Sequence, residues 1–77
     1  MDLIDFLSRA DERRIDGRFP RASEVTFKPM PTVHMAYQRA MKAGYLVRLE
    51  RGKYELTIKG RERIQVWRKK LNTKDTK

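Results

Sequence analysis

The fold is decided by residues 40–60, which read AMKAGYLVRLERGKYELTIKG. Up to Gly44 the apolar residues recur at helical spacing, and a glycine at that point favours the end of a helix. Beyond Gly44 the pattern changes to alternation, and residues 50–53 place a glycine between two alternating runs. This pattern predicts a β-hairpin over residues 47–56.

Apolar positions in and after the hairpin predict which side chains are buried. We expect the core-facing residues of the two strands to be Val47, Leu49, Tyr54 and Leu56, with Arg48 and Lys53 facing outward. Thr57 is the expected N-cap of a last helix. The apolar stripe of that helix comprises Gly60, Ile64, Trp67 and Leu71.

The N-terminal half predicts three helices. Asp2 caps the first helix, which runs over residues 3–14 and is stopped by Gly17. Residues 18–20 are expected to be extended because a proline follows, and a short helix then covers residues 20–25. Two prolines at 29 and 31 separate it from a helix over 31–43. The predicted core comprises Leu3, Phe6, Leu7, Ala10, Val25, Val33, Tyr37, Ala40, Leu46, Val47, Leu49, Tyr54, Leu56, Ile64 and Trp67.

Composition excludes several classes of protein. Seventy-seven residues suffice for a single domain, predicted over 1–71 with a flexible basic tail over 72–77. The chain has no cysteine and one histidine, which excludes disulfides and argues against a zinc site. No paired carboxylates or phosphate-binding glycine loop are present, so we expect neither an enzyme nor a cofactor. Without an apolar run long enough to cross a bilayer, a cytoplasmic location without membrane partners is expected.

The charge of the chain is strongly positive and unevenly placed. Lys and Arg number 19 against 10 Asp and Glu, a net charge of +9. Residues 1–17 carry a net charge of −2, whereas residues 18–77 carry +11. A surface whose only role is to keep the protein soluble does not need such an uneven distribution of charge. The distribution therefore favours nucleic acid as a partner.

Three strings, in this order, resemble the winged helix-turn-helix superfamily. Residues 19–25 and 40–47 are similar to the second helix and the recognition-helix exit of GntR-type regulators. Residues 52–62, GKYELTIKGRE, are similar to the wing exit of MarR- and PadR-like proteins. The resemblance covers residues 3–71 and departs from those families at the two prolines of the inter-helix turn. It implies an α+β, mostly helical fold, with a three-helix core, a two-stranded β-hairpin wing and a C-terminal helix.

The resemblance also implies a function and a set of contacts. It is to a stand-alone module, as in small regulators of phages, plasmids or archaea, and implies sequence-specific binding of double-stranded DNA and transcription regulation. Helix 31–43 would enter the major groove, with base contacts from Thr32, His34, Met35, Gln38 and Arg39. Backbone contacts are expected from Arg21, Ser23, Lys28 and Lys42, and wing contacts from Arg48, Arg51 and Lys53.

The last helix leaves alternatives open. Trp67 either closes the core or joins Ile64 and Leu71 in a homodimer seam or partner face. The basic flank Arg68–Lys70 either follows phosphate or meets an acidic partner. A second functional reading is a winged helix that binds protein or RNA and modulates a host complex, as phage and plasmid proteins do.

Overall fold

The structure is a computed structural model that describes the backbone of residues 2–75 and the side chains of residues 2–70. It is α+β and mostly helical, which confirms the predicted class. The elements in chain order are α1 (Leu3–Asp11), a 3-10 turn (Ala22–Glu24), α2 (Met30–Ala43), β1 (Leu46–Glu50), β2 (Lys53–Leu56) and α3 (Ile58–Asp75).

Helix α1 begins at the predicted cap but ends three residues early. The Asp2 carboxylate accepts hydrogen bonds from the N–H groups of Ile4 and Asp5, at 2.9 and 3.4 Å. The chain then leaves the helix and makes a tight turn in which Ile15 and Arg18 exchange two hydrogen bonds of 3.0 Å. Sequence reasoning used Gly17 only as a helix stop and missed this turn.

The turn has a clear sequence signal. Asp16 and Gly17 take φ values of 52° and 78°, the left-handed conformation that an Asp-Gly pair adopts in a two-residue hairpin loop. The turn returns the chain so that Phe19 forms a β-bridge with Tyr54 of β2. The extended conformation predicted for residues 18–20 thus places Phe19 beside the hairpin, where it makes a single β-bridge to β2.

The helix predicted over residues 20–25 is wrong in type and length. Only one 3-10 turn forms, held by i to i+3 bonds from Glu24 N–H to the Arg21 carbonyl (2.9 Å) and from Val25 N–H to the Ala22 carbonyl (3.2 Å). Val25 then adopts extended backbone angles. β-Branched residues at 25 and 26 and the prolines beyond them do not support helix continuation.

Helix α2 confirms the predicted element and its end. Gly44 has a φ of 84°, and its N–H donates to the Met41 carbonyl at 3.1 Å. The N–H of Tyr45 donates to the Ala40 carbonyl at 2.8 Å, which completes a left-handed C-terminal cap. The face of α2 that enters the core carries Val33, Ala36, Tyr37 and Ala40.

Tyr37 lies at the centre of the core. Its ring packs edge-on against Tyr54 with centroids 5.0 Å apart, and the rings of Phe6 and Phe19 each lie 6.0 Å away. Its hydroxyl donates to the Pro20 carbonyl at 2.7 Å. Burial raises the pKa of this hydroxyl above its ordinary value, so it keeps the proton that this bond requires.

The hairpin forms where predicted, but the burial of its first strand is out of phase with the prediction. Leu46 pairs with Leu56, and Arg48 pairs with Tyr54, so these four side chains share one face. The register shifts between Arg48 and Glu50, which leaves Leu49 as the extra residue of a bulge. Val47 and Leu49 are 40% and 63% exposed, and their predicted burial is wrong.

Helix α3 begins as predicted and packs against α1, and its Ile64 is buried in the core. The Thr57 hydroxyl accepts from the N–H of Gly60 at 3.1 Å, which confirms it as the N-cap. The helix extends through residue 75, so residues 72–75 of the predicted flexible tail are helical. Residues 76–77 lie outside the described residues. The core contains Phe19, Ala22 and Ala36, which the sequence prediction omitted.

Candidate nucleic-acid interface

The outer surface of α2 carries the residues predicted to contact bases. His34, Met35, Gln38 and Arg39 are exposed and Thr32 is half-buried. At about 100° per residue, Met35, Gln38 and Lys42 lie directly opposite the buried face. Thr32 and Arg39 lie on the flank nearer α1, where they line a shallow apolar pocket of about 160 Å³ with Leu3. The structure therefore divides the predicted set between the centre of the face and its two flanks.

Ion pairing separates the cations of the described chain into two groups. Five arginines and one lysine pair with carboxylates inside the molecule: Arg9, Arg14, Arg18, Arg61, Arg68 and Lys53. Among the side chains of residues 2–70, no ion pair is formed by Arg21, Lys28, Arg39, Lys42, Arg48 or Arg51. These six are all residues predicted to contact DNA. Four further cations, Arg13, Lys59, Arg63 and Lys70, also form no ion pair among those side chains, and they lie after α1 or on α3.

The wing presents its cations next to α2 and to the 3-10 turn. Because Arg48 pairs with Tyr54, its side chain leaves the hairpin on the face that packs against Tyr37 of α2. At the tip, Gly52 has a φ of 77°, and a Cβ built on it would lie 3.6 Å from Arg21 Cδ. Arg21 therefore lies against the wing turn, beside the exposed Arg51. Two sites predicted separately, the second helix and the wing, form one surface.

Lys53 contributes less free charge to the wing than predicted. Its Nζ lies 3.2 Å from a carboxylate oxygen of Glu50, and both side chains are more than half exposed. An ion pair this exposed is worth little to stability, so it can open when a stronger anion approaches. Lys53 must therefore break its ion pair with Glu50 before it can make the predicted wing contact.

Glu24 occupies the position where free N–H groups were expected. Its carboxylate accepts from the Arg21 N–H at 2.7 Å and from both terminal nitrogens of Arg18, at 3.1 and 3.2 Å. The hydrogen bond from Arg18 is the main cause that lowers the pKa of Glu24 to about 2. The Arg21 N–H is therefore already paired with a carboxylate and is not available to a phosphate. Arg21 can offer its guanidinium, and Ser23 remains exposed.

A second group of ion pairs joins α1, β2 and α3 on another side of the molecule. Arg14 hydrogen-bonds to both carboxylate oxygens of Glu55, and Arg61 reaches the same carboxylate at 3.5 Å. Arg68 donates to the Ser8 hydroxyl at 3.1 Å and to Asp11 at 3.3 Å. These groups line a polar cleft of about 410 Å³. Arg68, for which the sequence left phosphate or an acidic partner as alternatives, is thus paired with Asp11 inside the molecule.

The predicted homodimer seam on α3 is only partly exposed. Ile64 is 2% exposed and belongs to the core, so its assignment to a dimer or partner face is wrong. Trp67 is half-buried and lines a groove of about 250 Å³ with Ile4, Arg63 and the exposed Val66. The side chain of Leu71 lies outside the described residues.

The described part of the chain contains neither a cluster of metal-ligating side chains nor a helix that could span a membrane. Residues 2–75 contain no cluster of three or more His, Cys, Asp or Glu side chains that could hold a metal ion. Among the described helices, none has the length and apolar character needed to cross a bilayer.

Comparison with protein-family models, curated proteins and solved structures finds no match.

Acid is expected to destabilise the protein through Glu24 and Glu55. The hydrogen bonds from Arg18 and Arg14, respectively, lower the pKa of each carboxyl from its ordinary 4.5. Because each folded-state pKa is below the unfolded-state value, these groups contribute their full stability above about pH 4.5. That contribution is lost as pH falls through the folded-state pKa, which is about 2 for Glu24.

Thermal unfolding followed by circular dichroism between pH 7 and pH 2.5 measures this effect. The Tm should be flat above pH 5 and fall below pH 4.5, and Glu55→Gln should have a shallower acid limb. An equal slope for Glu55→Gln and the parent protein would show that Glu55 contributes nothing to acid sensitivity.

Proposed function

We propose that this protein is a winged helix-turn-helix module that binds double-stranded DNA in a sequence-specific manner and regulates transcription in the cytoplasm. The observation that carries the proposal is a set of cations without a carboxylate partner on adjoining parts of the surface, namely α2, the 3-10 turn and the wing. Six cations that form no ion pair among the described side chains lie on α2, on the wing and around the 3-10 turn: Arg21, Lys28, Arg39, Lys42, Arg48 and Arg51. Arg13, which follows α1, and Lys59, Arg63 and Lys70 of α3 form none either, so the proposal rests on where the six lie together and not on their lack of a partner alone. A polyanion-binding face requires cations that are not already neutralised.

The topology supports the same proposal. A helix, an extended segment at Phe19, a 3-10 turn, a second long helix and a hairpin follow one another, and Phe19 forms a single β-bridge with the second hairpin strand. This order is compatible with a winged helix in which the second helix is reduced to a single 3-10 turn. In that arrangement the second long helix and the hairpin form adjacent parts of one DNA-binding surface.

The proposed binding mode assigns a role to each part of the surface. The major groove of DNA is about 12 Å wide and admits one α-helix, here α2. Gln38 would pair with adenine through both of its amide atoms, and Arg39 would contact guanine or a phosphate from the α1 flank. Arg51 at the wing tip would reach the backbone or a narrow minor groove, where the negative potential is concentrated.

Fluorescence anisotropy with three labelled nucleic acids tests the proposal. The protein is titrated into random duplex DNA, duplex RNA and single-stranded DNA of equal length, each at 50 and 200 mM salt. We expect the tightest binding to duplex DNA, with a slope of log K against log salt near −5 to −7 if about six to eight phosphates are neutralised. Selection of binding sites from a random duplex library then identifies the preferred sequence.

The other outcomes separate the alternatives. Equal affinity for all three nucleic acids would indicate nonspecific electrostatics and would contradict the proposal. Absence of binding at 50 mM salt would contradict it as well. It would favour a protein partner, for which the exposed Val66 and the groove beside Trp67 are the first surface to test.

A further inference from the structure

Arg14 is the most connected cation of the described chain. Its Nε donates to Asp11 at 2.7 Å, one Nη donates to the Gly17 carbonyl at 3.0 Å, and both Nη atoms donate to the carboxylate of Glu55. One guanidinium thus joins the end of α1, the Asp16–Gly17 turn and strand β2. The side chains of Arg14 and Glu55 are each only 24% exposed, so solvent and salt screen this pair less than a surface pair.

The partners of Arg14 extend the linkage to α3. Arg61 contacts the same carboxylate of Glu55, and Arg68 contacts the same carboxylate of Asp11. Glu55 is therefore shared by Arg14 and Arg61, and Asp11 is shared by Arg14 and Arg68. The second strand of the wing is held by side chains from both helices that flank it.

The linkage lies away from the proposed DNA-binding surface. Glu55 pairs with Val47, and residues in that register face the side of the hairpin opposite to Arg48 and Tyr54. Arg48 and Tyr54 face α2. Arg14 and Glu55 consequently cannot contact a duplex that lies along α2, but they hold the strand that leads out of the wing tip.

We infer that Arg14 and Glu55 are positioning residues that fix the wing relative to α2 for DNA binding. The inference rests on the proposed function and extends it. A wing of two short strands joined by a two-residue loop has little core of its own, since only Leu46 and Leu56 of β1 and β2 are fully buried. A bidentate ion pair on its outer face orients the strand more tightly than apolar contact alone. Holding the wing in place before binding removes part of the ordering cost of association.

The decisive variant is Glu55→Gln, because long-range electrostatics and loss of wing positioning predict opposite changes in the affinity for duplex DNA. The substitution raises the net charge by one, and electrostatics alone therefore predicts equal or tighter binding to duplex DNA. Positioning predicts weaker binding, by about three- to tenfold. Glu62→Gln is the matched control: it makes the same charge change at an exposed carboxylate of α3.

A double-mutant cycle with Arg51→Ala localises the effect to the wing. If the linkage orients the wing, the loss of affinity caused by Arg51→Ala should be smaller in the Glu55→Gln background than in the parent. Arg14→Lys keeps the charge but loses the bidentate geometry, and it should weaken DNA binding in the same direction as Glu55→Gln. Glu55→Gln that binds like Glu62→Gln, or an unchanged Arg51→Ala penalty, would overturn the inference.

Amide hydrogen exchange in the free protein gives a readout that does not depend on DNA. We expect the wing amides of residues 51–53 to exchange about tenfold faster in Glu55→Gln than in Glu62→Gln, with the α2 amides unchanged. If no variant binds DNA but the wing amides respond, the proposed function fails while the structural linkage stands. Equal wing exchange in both variants would refute the positioning role whatever the affinity for DNA.

Discussion

Gly60→Ala is expected to lower the free energy of unfolding by about 2–3 kcal/mol, because the added methyl group has no space. A Cβ built on Gly60 would lie 2.2 Å from the carbonyl oxygen of Tyr45 and 3.0 Å from its carbonyl carbon. The same carbonyl accepts a hydrogen bond of 3.0 Å from the N–H of Thr57. Both obstacles are backbone atoms, so relief requires moving α3 away from the start of β1.

Helix propensity alone predicts that this substitution raises the free energy of unfolding. Alanine in place of glycine favours a helix by up to about 1 kcal/mol where there is no steric conflict. The expected fall in Tm, about 10–20 °C for a domain of this size, therefore separates the two effects clearly. Glu62→Ala, at an exposed position two residues later, is the control and should change Tm by little. A Tm for Gly60→Ala at or above that of the parent would contradict the close approach of α3 to Tyr45.

The combined substitution of Lys42→Gln and Arg51→Gln is expected to cause the largest loss of DNA affinity. Neither cation forms an ion pair among the described side chains, and they come from the two parts of the proposed surface, α2 and the wing. If each neutralises one phosphate, the salt slope should become less negative by about 2, and affinity at 0.1 M salt should fall about 50-fold. Anisotropy titration on one duplex over a series of salt concentrations measures both quantities.

Arg9→Gln provides the charge control for that experiment. Arg9 lies on α1, where it pairs with Asp5 at 3.1 Å, and its removal lowers the net charge as much as either single substitution. Its effect on the salt slope should be near zero if contact rather than total charge determines affinity. Equal slopes for Arg9→Gln and Arg51→Gln would show that the wing does not contact phosphate.

Patterns along the chain predicted most elements because each depends on local chemistry. The Asp2 cap, the Gly44 cap, the Thr57 cap and the hairpin loop around Gly52 are set by residues within one turn of each other. The short second helix was predicted from Pro20 and the residues that follow. It formed only one 3-10 turn, because side-chain bonds from Glu24 and extended residues after it prevailed over a weak helix signal.

Contacts between distant residues could not be predicted in this way. The bulge at Leu49 changes the register of β1, and no residue type in the strand requires it. The sequence contains many arginines and carboxylates, and nothing in their spacing reveals that Arg14 meets Glu55, 41 residues later. The predicted interface residues of α2 are exposed because they lie opposite its apolar face, and the same pattern led to their selection. Which cations of the interface lack a carboxylate partner is visible only in the three-dimensional structure.

The bulge also bears on how the chain behaves at high concentration. Within the described residues β1 pairs only with β2, so its outer edge offers unpaired backbone groups to another strand. That edge bends at Leu49 and bears the charges of Arg48 and Glu50, both of which hinder the approach of a second flat strand. The exposed Val47 and Leu49 consequently lie on an edge that is a poor template for aggregation, and the protein can keep an open wing without recruiting copies of itself.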